Sequence, residues 1–329
     1  MELKDLDAEL ARLIELRARQ VTGKTDLPTR KSVFPEDAKQ RILRDVATVC
    51  DRLVTPCRVA FLGPLYSYTH LAAETFFGAG FDAAPVTHIA SVFEEVQRQQ
   101  ADFGVVPIEN STDGRVVDTL ENFSSFPVKI CGEVELPIQH TLMAACARKE
   151  IIEVQSKAQA LSQCRHWLTQ HLPGAKLTEV DSTATAAKNA RTKAGTAAIA
   201  SPLAARAYGL KALVTSVSDA VQNRTRFVVL GKTEPERTRQ DKTTLLFELP
   251  HEAGTLADAL LVFKRHKINL TWIESFPIPE TPGSYLFFVD CEGHRSELRL
   301  RRLLAQLTKR TRQLRILGSY PAAKTLGDK

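Results

Sequence analysis

Long apolar runs are missing from these 329 residues, and no window approaches the roughly 18 consecutive apolar residues that a membrane helix needs. No membrane association is expected. The chain opens Met1-Glu2-Leu3-Lys4-Asp5 and passes straight into charged helical pattern, unlike a secretion signal, so a cytoplasmic location is expected. Cysteine is sparse. Cys50, Cys57, Cys131, Cys146, Cys164 and Cys291 are scattered, with no Cys-x-x-Cys pair and no histidine at zinc spacing, which excludes the usual zinc ribbons and argues against a disulfide framework. Also missing are the Gly-x-Gly-x-x-Gly fingerprint, the Gly-Lys-Ser/Thr ending of a phosphate loop, a nucleophile elbow and any 20–50-residue repeat. The chemistry is therefore expected to need no metal and no cofactor.

What is present reads as globular, with 43% hydrophobic and 25% charged residues. The length exceeds one usual domain of roughly 100–200 residues and implies two or three. A net charge of +6 invites a nucleic-acid reading, but its location argues otherwise. Between Gly293 and Gly318 eight basic residues face only Glu297, so the rest of the chain is about neutral. They accompany a helix whose apolar side is expected to be Leu298, Leu300, Leu303, Leu304 and Leu307, leaving Arg299, Arg302, Lys309 and Arg310 largely solvated. With no helix-turn-helix or aromatic platform, no nucleic-acid partner is expected.

The spacing predicts an amphipathic helix over 3–20 and a second over 35–53, the latter opened by a proline and two acidic residues. From residue 58 short apolar strands (59–62, 103–107, 197–200) alternate with helical stretches (71–77, 116–123, 158–171, 184–194), which argues for α/β layers with mainly parallel strands. A polar linker over 233–241 precedes a strand, a helix, two strands, a helix and a strand, a βαββαβ order that predicts an antiparallel four-stranded sheet with both helices on one face.

Three strand-to-helix turns are rich in hydroxyls and amides. Gly63-Pro64-Leu65-Tyr66-Ser67-Tyr68-Thr69-His70 offers backbone amides and the Ser67 hydroxyl to an anion, or serves as a plain helix cap. Glu109-Asn110-Ser111-Thr112 holds four polar side chains where capping needs one. Asp181-Ser182-Thr183 opens an alanine-rich helix. A fourth stretch, Asn223-Arg224-Thr225-Arg226-Phe227, runs into a strand, where Arg226 could fork onto a carboxylate or make a surface ion pair. His140 follows a strand-like stretch and could face a cleft or be merely structural. Together these describe a site for a small anionic organic molecule, with chemistry by positioning and proton transfer.

In this order, these stretches, with Gln159-Ala160-Leu161-Ser162-Gln163-Cys164 and Ala204-Ala205…Tyr208-Gly209-Leu210, resemble the prephenate dehydratase family from residue 58 to about 321. The resemblance implies a two-lobed catalytic unit like a periplasmic binding protein over 58–232, and an ACT regulatory domain over 241–322. Its reaction turns prephenate into phenylpyruvate, carbon dioxide and water, a step towards L-phenylalanine. Matching position by position implies Thr225 as proton or hydrogen-bond donor, with Asn110, Glu109 and Gln163 as its catalytic neighbours. Arg226, Ser111, Thr112, Asp181, Ser182, Thr183, Ser67 and His140 are implied as substrate-binding residues. Gly254-Thr255-Leu256 and Glu274-Ser275-Phe276-Pro277 resemble the family's phenylalanine-binding motifs, implying an L-phenylalanine site of Gly254, Leu256, Glu274 and Ser275 at a dimer interface in a homodimer or homotetramer.

The sequence departs from the pattern at three places. Tyr66 stands where the family usually has glycine and is expected to narrow the first loop. Lys157-Ala158 stands for a His-Pro pair, and Phe276 for an arginine. Arogenate remains open as a substrate, and a non-catalytic sensor of aromatic compounds as a function, although an intact Thr225 favours the enzyme. Residues 1–57 resemble a shortened chorismate mutase domain: Arg17 matches a substrate arginine, but a whole helix is missing between Gln20 and Pro35. Mutase activity is expected to be absent.

Overall fold

The computed structural model describes residues 3–22, 34–36, 38–40, 42–43, 46, 50, 57–78, 80–219, 223–278 and 284–323. The described residues within 1–57 and 77–82 form one compact unit, and those within 58–76 and 83–323 form another. The first contains α1 (Leu3–Thr22), as the leucine spacing predicts. Of the helix expected over 35–53, the residues described between 36 and 50 are helical, and the rest of that span lies outside the described residues.

The larger unit begins with β1 (Arg58–Leu62), α2 (Tyr68–Phe77), β2 (Asp82–Val86), α3 (Ile89–Gln97), β3 (Phe103–Asn110), the short β4 (Gly114–Arg115), α4 (Val117–Ser125) and β5 (Lys129–Pro137). The chain then leaves to build a second lobe: β6 (Thr141–Ala144), β7 (Glu153–Ser156), α5 (Ala158–Gln163), α6 (Arg165–His171), β8 (Lys176–Glu179), α7 (Thr183–Thr192), β9 (Thr196–Ala200), α8 (Pro202–Ala207) and β10 (Lys211–Val214). It returns as β11 (Arg224–Gly231), which inserts between β3 and β5, giving the order β2-β1-β3-β11-β5 in the first lobe and β10-β6-β9-β7-β8 in the second.

Both sheets are mixed rather than mainly parallel. β1/β3, β7/β8 and β7/β9 run parallel, whereas β11 is antiparallel to both its neighbours and β6 to both of its own. The returning strand runs opposite to its neighbours because it enters from the other lobe. The crossovers are joined by backbone hydrogen bonds, Ile138 N–H to the Asn223 carbonyl at 2.7 Å and Val217 N–H to the His140 carbonyl at 2.8 Å.

The tail has the expected βαββαβ order: β12 (Asp241–Glu248), α9 (Thr255–Arg265), β13 (Leu270–Pro277), β14 (Tyr285–Glu292), α10 (Leu298–Leu307) and β15 (Gln313–Pro321), with sheet order β13-β14-β12-β15. One sheet face packs on both helices through Leu245, Phe247, Val289, Leu300, Leu303 and Leu307. Leu298 is an exception to the predicted apolar side: at the first helical position it is 60% exposed. The other face, through Leu246, Phe276, Phe288, Leu317 and Tyr320, shares a core with Ile108, Leu120, Phe123 and Ile130 of the first lobe. Arg315 donates to the carbonyls of Phe123, Ser124 and Phe126, satisfying the exposed end of α4. That member of the basic cluster docks the tail instead of facing solvent.

Candidate active site

Between the lobes lies a cleft of about 650 Å³. It is lined at the first lobe by Ser67, Asn110, Thr225 and Phe227, at the crossovers by His140 and Asn223, and at the second lobe by Gln163, Asp181, Ser182 and Thr183. Eight of the expected site residues are thereby brought together: Ser67, Asn110, His140, Gln163, Asp181, Ser182, Thr183 and Thr225. Two of them are helix caps as well as lining. Ser67 accepts from the His70 N–H at 3.3 Å, and Ser182 accepts from the Thr185 N–H at 3.0 Å.

Hydrogen-bond directions in the cleft follow from the fixed groups. Asn110 Oδ1 accepts from the backbone N–H groups of Thr112 (2.9 Å) and Asp113 (3.1 Å), so its amide nitrogen points the other way. That nitrogen donates to Thr225 Oγ1 at 2.7 Å and to Asn223 Oδ1 at 2.9 Å. Asn223 in turn donates to Gln163 Oε1 at 3.0 Å, and Gln163 donates to the Asp113 carboxylate at 3.0 Å. With the Asp113 N–H returning to Asn110, the chain of donors closes into a ring that spans both lobes. Thr225 hangs from it as an acceptor, which leaves its own proton free for the cleft.

His140 Nε2 lies 2.9 Å from Gln163 Oε1, which requires that nitrogen to carry the hydrogen and leaves Nδ1 unprotonated beside Tyr68 Oη at 3.2 Å. Burial pushes the imidazole below its ordinary value of 6.5, against a smaller opposing effect of the Gln163 bond.

Four expected site residues do not reach the cleft. Arg226 and Glu109 occupy the opposite face of their strands: antiparallel register pairs Thr225 with Asn110 and Arg226 with Glu109, and each pair shares one side of the sheet. Instead of a substrate carboxylate, Arg226 is buried against Glu109 (3.2 Å), Glu133 (3.2 Å) and Asp290, with its guanidinium carbon 4.6 Å above the Trp272 ring. Burial opposes both charges there, but Asp290 foremost raises Arg226 above its ordinary value, and Lys242 and Arg226 hold Glu133 below its own. Ser111 accepts from the Arg224 N–H and Thr112 donates its N–H to Asn110, so both shape the turn rather than line the cleft. Tyr66 does not narrow it either. With φ at +68°, a conformation that suits the family's glycine, it turns its ring away onto Tyr208, 5.4 Å between centroids.

Asn223 and Asp113 were not among the expected site residues. Asn223 stands two residues before Thr225, just ahead of β11, and continuing the strand's period of two favours it over Arg226. Asp113 had no such signal, because its role depends on α5 approaching from the other lobe.

Around the tail sheet the four expected phenylalanine residues also separate. Gly254 takes the left-handed conformation (φ +88°) ahead of α9, and Leu256 lines a cavity of about 90 Å³ with Leu249, His251, Tyr285 and Phe287. Ser275 pairs with Phe287 and shares that face. Glu274 does not: alternation turns it to the first lobe, where it meets Arg115 at 2.9 Å.

Fold and cleft define a two-lobed α/β enzyme for a small organic acid, carrying an appended α+β domain. The sequence profile described as prephenate dehydratase matches residues 59–235. The bifunctional chorismate mutase/prephenate dehydratase of Aquifex aeolicus is 38% identical over 98% of this chain and 96% of its own length. The prephenate dehydratase of Amycolatopsis methanolica is 36% identical over 81% and 89% respectively. The crystal structure of prephenate dehydratase from Arthrobacter aurescens in complex with L-Phe superposes with a TM-score of 0.74 at 34% identity, covering 80% of this chain and 89% of that one. The chain belongs to the prephenate dehydratase family, lyases of aromatic amino acid biosynthesis. Among the described residues no helix is long and apolar enough to cross a membrane.

The depressed His140 value has a checkable consequence. A lowered histidine value means that its contribution to stability is fully present above the unfolded value of about 6.5 and is lost as pH falls through the folded value. An NMR titration is expected to place the His140 midpoint below 6.5, and a Gln163→Ala variant, which removes the opposing hydrogen bond, lower still.

Proposed function

We propose that prephenate binds with its ring hydroxyl against Thr225, and that this threonine donates the hydrogen bond, or the proton, under which water leaves. The bond from ring carbon to carboxylate breaks and its electron pair enters the ring. The carbon–oxygen bond opposite breaks, and the oxygen departs as water with one proton taken up. Aromatisation drives both. The observation that carries this reading is the directed amide ring: Asn110 fills the acceptor side of the Thr225 oxygen, polarising the hydroxyl and freeing its hydrogen for the leaving group. A threonine stays protonated at any working pH, so its value lies in position rather than acidity. Thr225→Ala is expected to lower kcat by about 10² or more with little change in KM, measured as phenylpyruvate formed from prephenate. Near-normal kcat would remove Thr225 from the mechanism.

We propose further that the βαββαβ tail is an ACT domain that binds L-phenylalanine at the cavity beside Gly254, Leu256 and Ser275, where two chains pair. The L-Phe complex of the Arthrobacter aurescens relative supports a phenylalanine effector. Glu274, paired with Arg115 on the strand that continues the Asn110 turn, would report occupancy to the cleft rather than touch the ligand. Calorimetry is expected to detect L-phenylalanine binding with inhibition of the dehydratase; no heat and no inhibition at millimolar concentration would refute it.

The N-terminal unit we read as a docking element without mutase activity, since one matched arginine cannot surround a dianion. Purified protein is expected to leave chorismate unconverted to prephenate, and measurable conversion would overturn that reading.

A further inference from the structure

A dicarboxylate substrate needs cations, and the strand register has taken Arg226 out of the cleft. Among the described residues the charged side chains lining it are three carboxylates, Asp118, Glu121 and Asp181, and one ammonium, Lys157, beside two imidazoles, His88 and the buried His140. Lys157 is exposed and makes no ion pair with any described carboxylate. It caps the start of α5 in extended conformation, while Gln163, the ring member nearest His140, ends the same helix. Six residues at 1.5 Å rise set the two about 9 Å apart along the cleft wall. In prephenate the ring carbon para to the hydroxyl carries one carboxylate directly and, through the pyruvyl side chain, the other. With the hydroxyl held at the Gln163–Asn223–Thr225 end, the carboxylates fall towards the Lys157 end.

We propose that Lys157 anchors the substrate's carboxylates and sets the preference for a keto-acid over an amino-acid side chain; this rests on the placement of the hydroxyl at Thr225 given above. Prephenate brings two negative charges to that end of the cleft. Arogenate brings the same two together with an ammonium, which a fixed lysine charge repels. First-turn residues of α2, α3 and α7 (Tyr68, Ile89 and Thr183) add the weaker attraction of helix N-termini, but that attraction does not distinguish the two substrates in the way a full positive charge does.

The test compares Lys157→Met and Lys157→Arg with the wild type on both substrates. For Lys157→Met, KM for prephenate is expected to rise about tenfold with kcat within about twofold, its salt dependence to weaken, and the prephenate-to-arogenate ratio of kcat/KM to fall by a similar factor. Lys157→Arg, keeping the charge, is expected to stay near wild type. An unchanged prephenate KM in Lys157→Met, or a loss confined to kcat, would overturn the proposal. A wild-type-like substrate ratio in that variant would do the same for the preference. Failure of the underlying placement is told apart by Thr225→Ala: normal turnover there removes the hydroxyl position, whereas a damaged Thr225→Ala beside an unaffected Lys157→Met removes only the lysine.

Discussion

The antiparallel seating of β11 between β3 and β5 is the constraint on which the rest depends. In a strand, neighbouring side chains point to opposite faces. Thr225 and Arg226 are neighbours, so a threonine facing the cleft commits the next residue to the other side, where the tail sheet lies. One strand therefore forms a wall of the reaction chamber and, from behind, the floor of the domain contact. Buried charge is tolerated there because the guanidinium meets two buried carboxylates and an aromatic face at once, while Lys242 meets Glu133 and Thr244 meets Asp290.

The tail domain was legible in the chain because its elements are well separated: short apolar runs in the strands, such as Leu245-Leu246-Phe247 and Leu286-Phe287-Phe288-Val289, and apolar residues every third or fourth position in the helices. The second lobe was less so. β6, β7, β8 and β10 are four residues each, too short for a pattern, and β8 (Lys176–Glu179) has no buried residue. Such strands form because neighbours offer them a ladder, which is information held elsewhere in the chain.

The same division runs through the site. Thr225, Asn110 and the Asp181–Thr183 turn lie in stretches whose polarity at a strand or helix end marked them out, whereas Gln163 was marked only by the family resemblance. Arg226 and Glu109 were grouped with them by nearness in sequence, and Glu274 was placed at the phenylalanine site by its motif; strand alternation sorted all three onto the far faces. The contribution of Asp113 depends on where α5 comes to rest, and no local pattern encodes that; Asn223 could have been found from its spacing to Thr225. The net charge carried no information about the site: the basic cluster that gives the chain its +6 belongs to the tail helix and its flanks, as its position in the sequence indicates, while the cleft lining is net acidic.

The ring of Asn110, Asn223, Gln163 and Asp113 has a sense of circulation. Every link donates in the same rotational direction, anchored by a backbone amide that cannot turn and a carboxylate that cannot donate while ionised. No single amide can flip without breaking its neighbours' bonds, so the only rotor left among these groups is the threonine hydroxyl. The lobes thus hold a rigid frame around one movable hydrogen, and separating them would undo the frame before it disturbed either sheet.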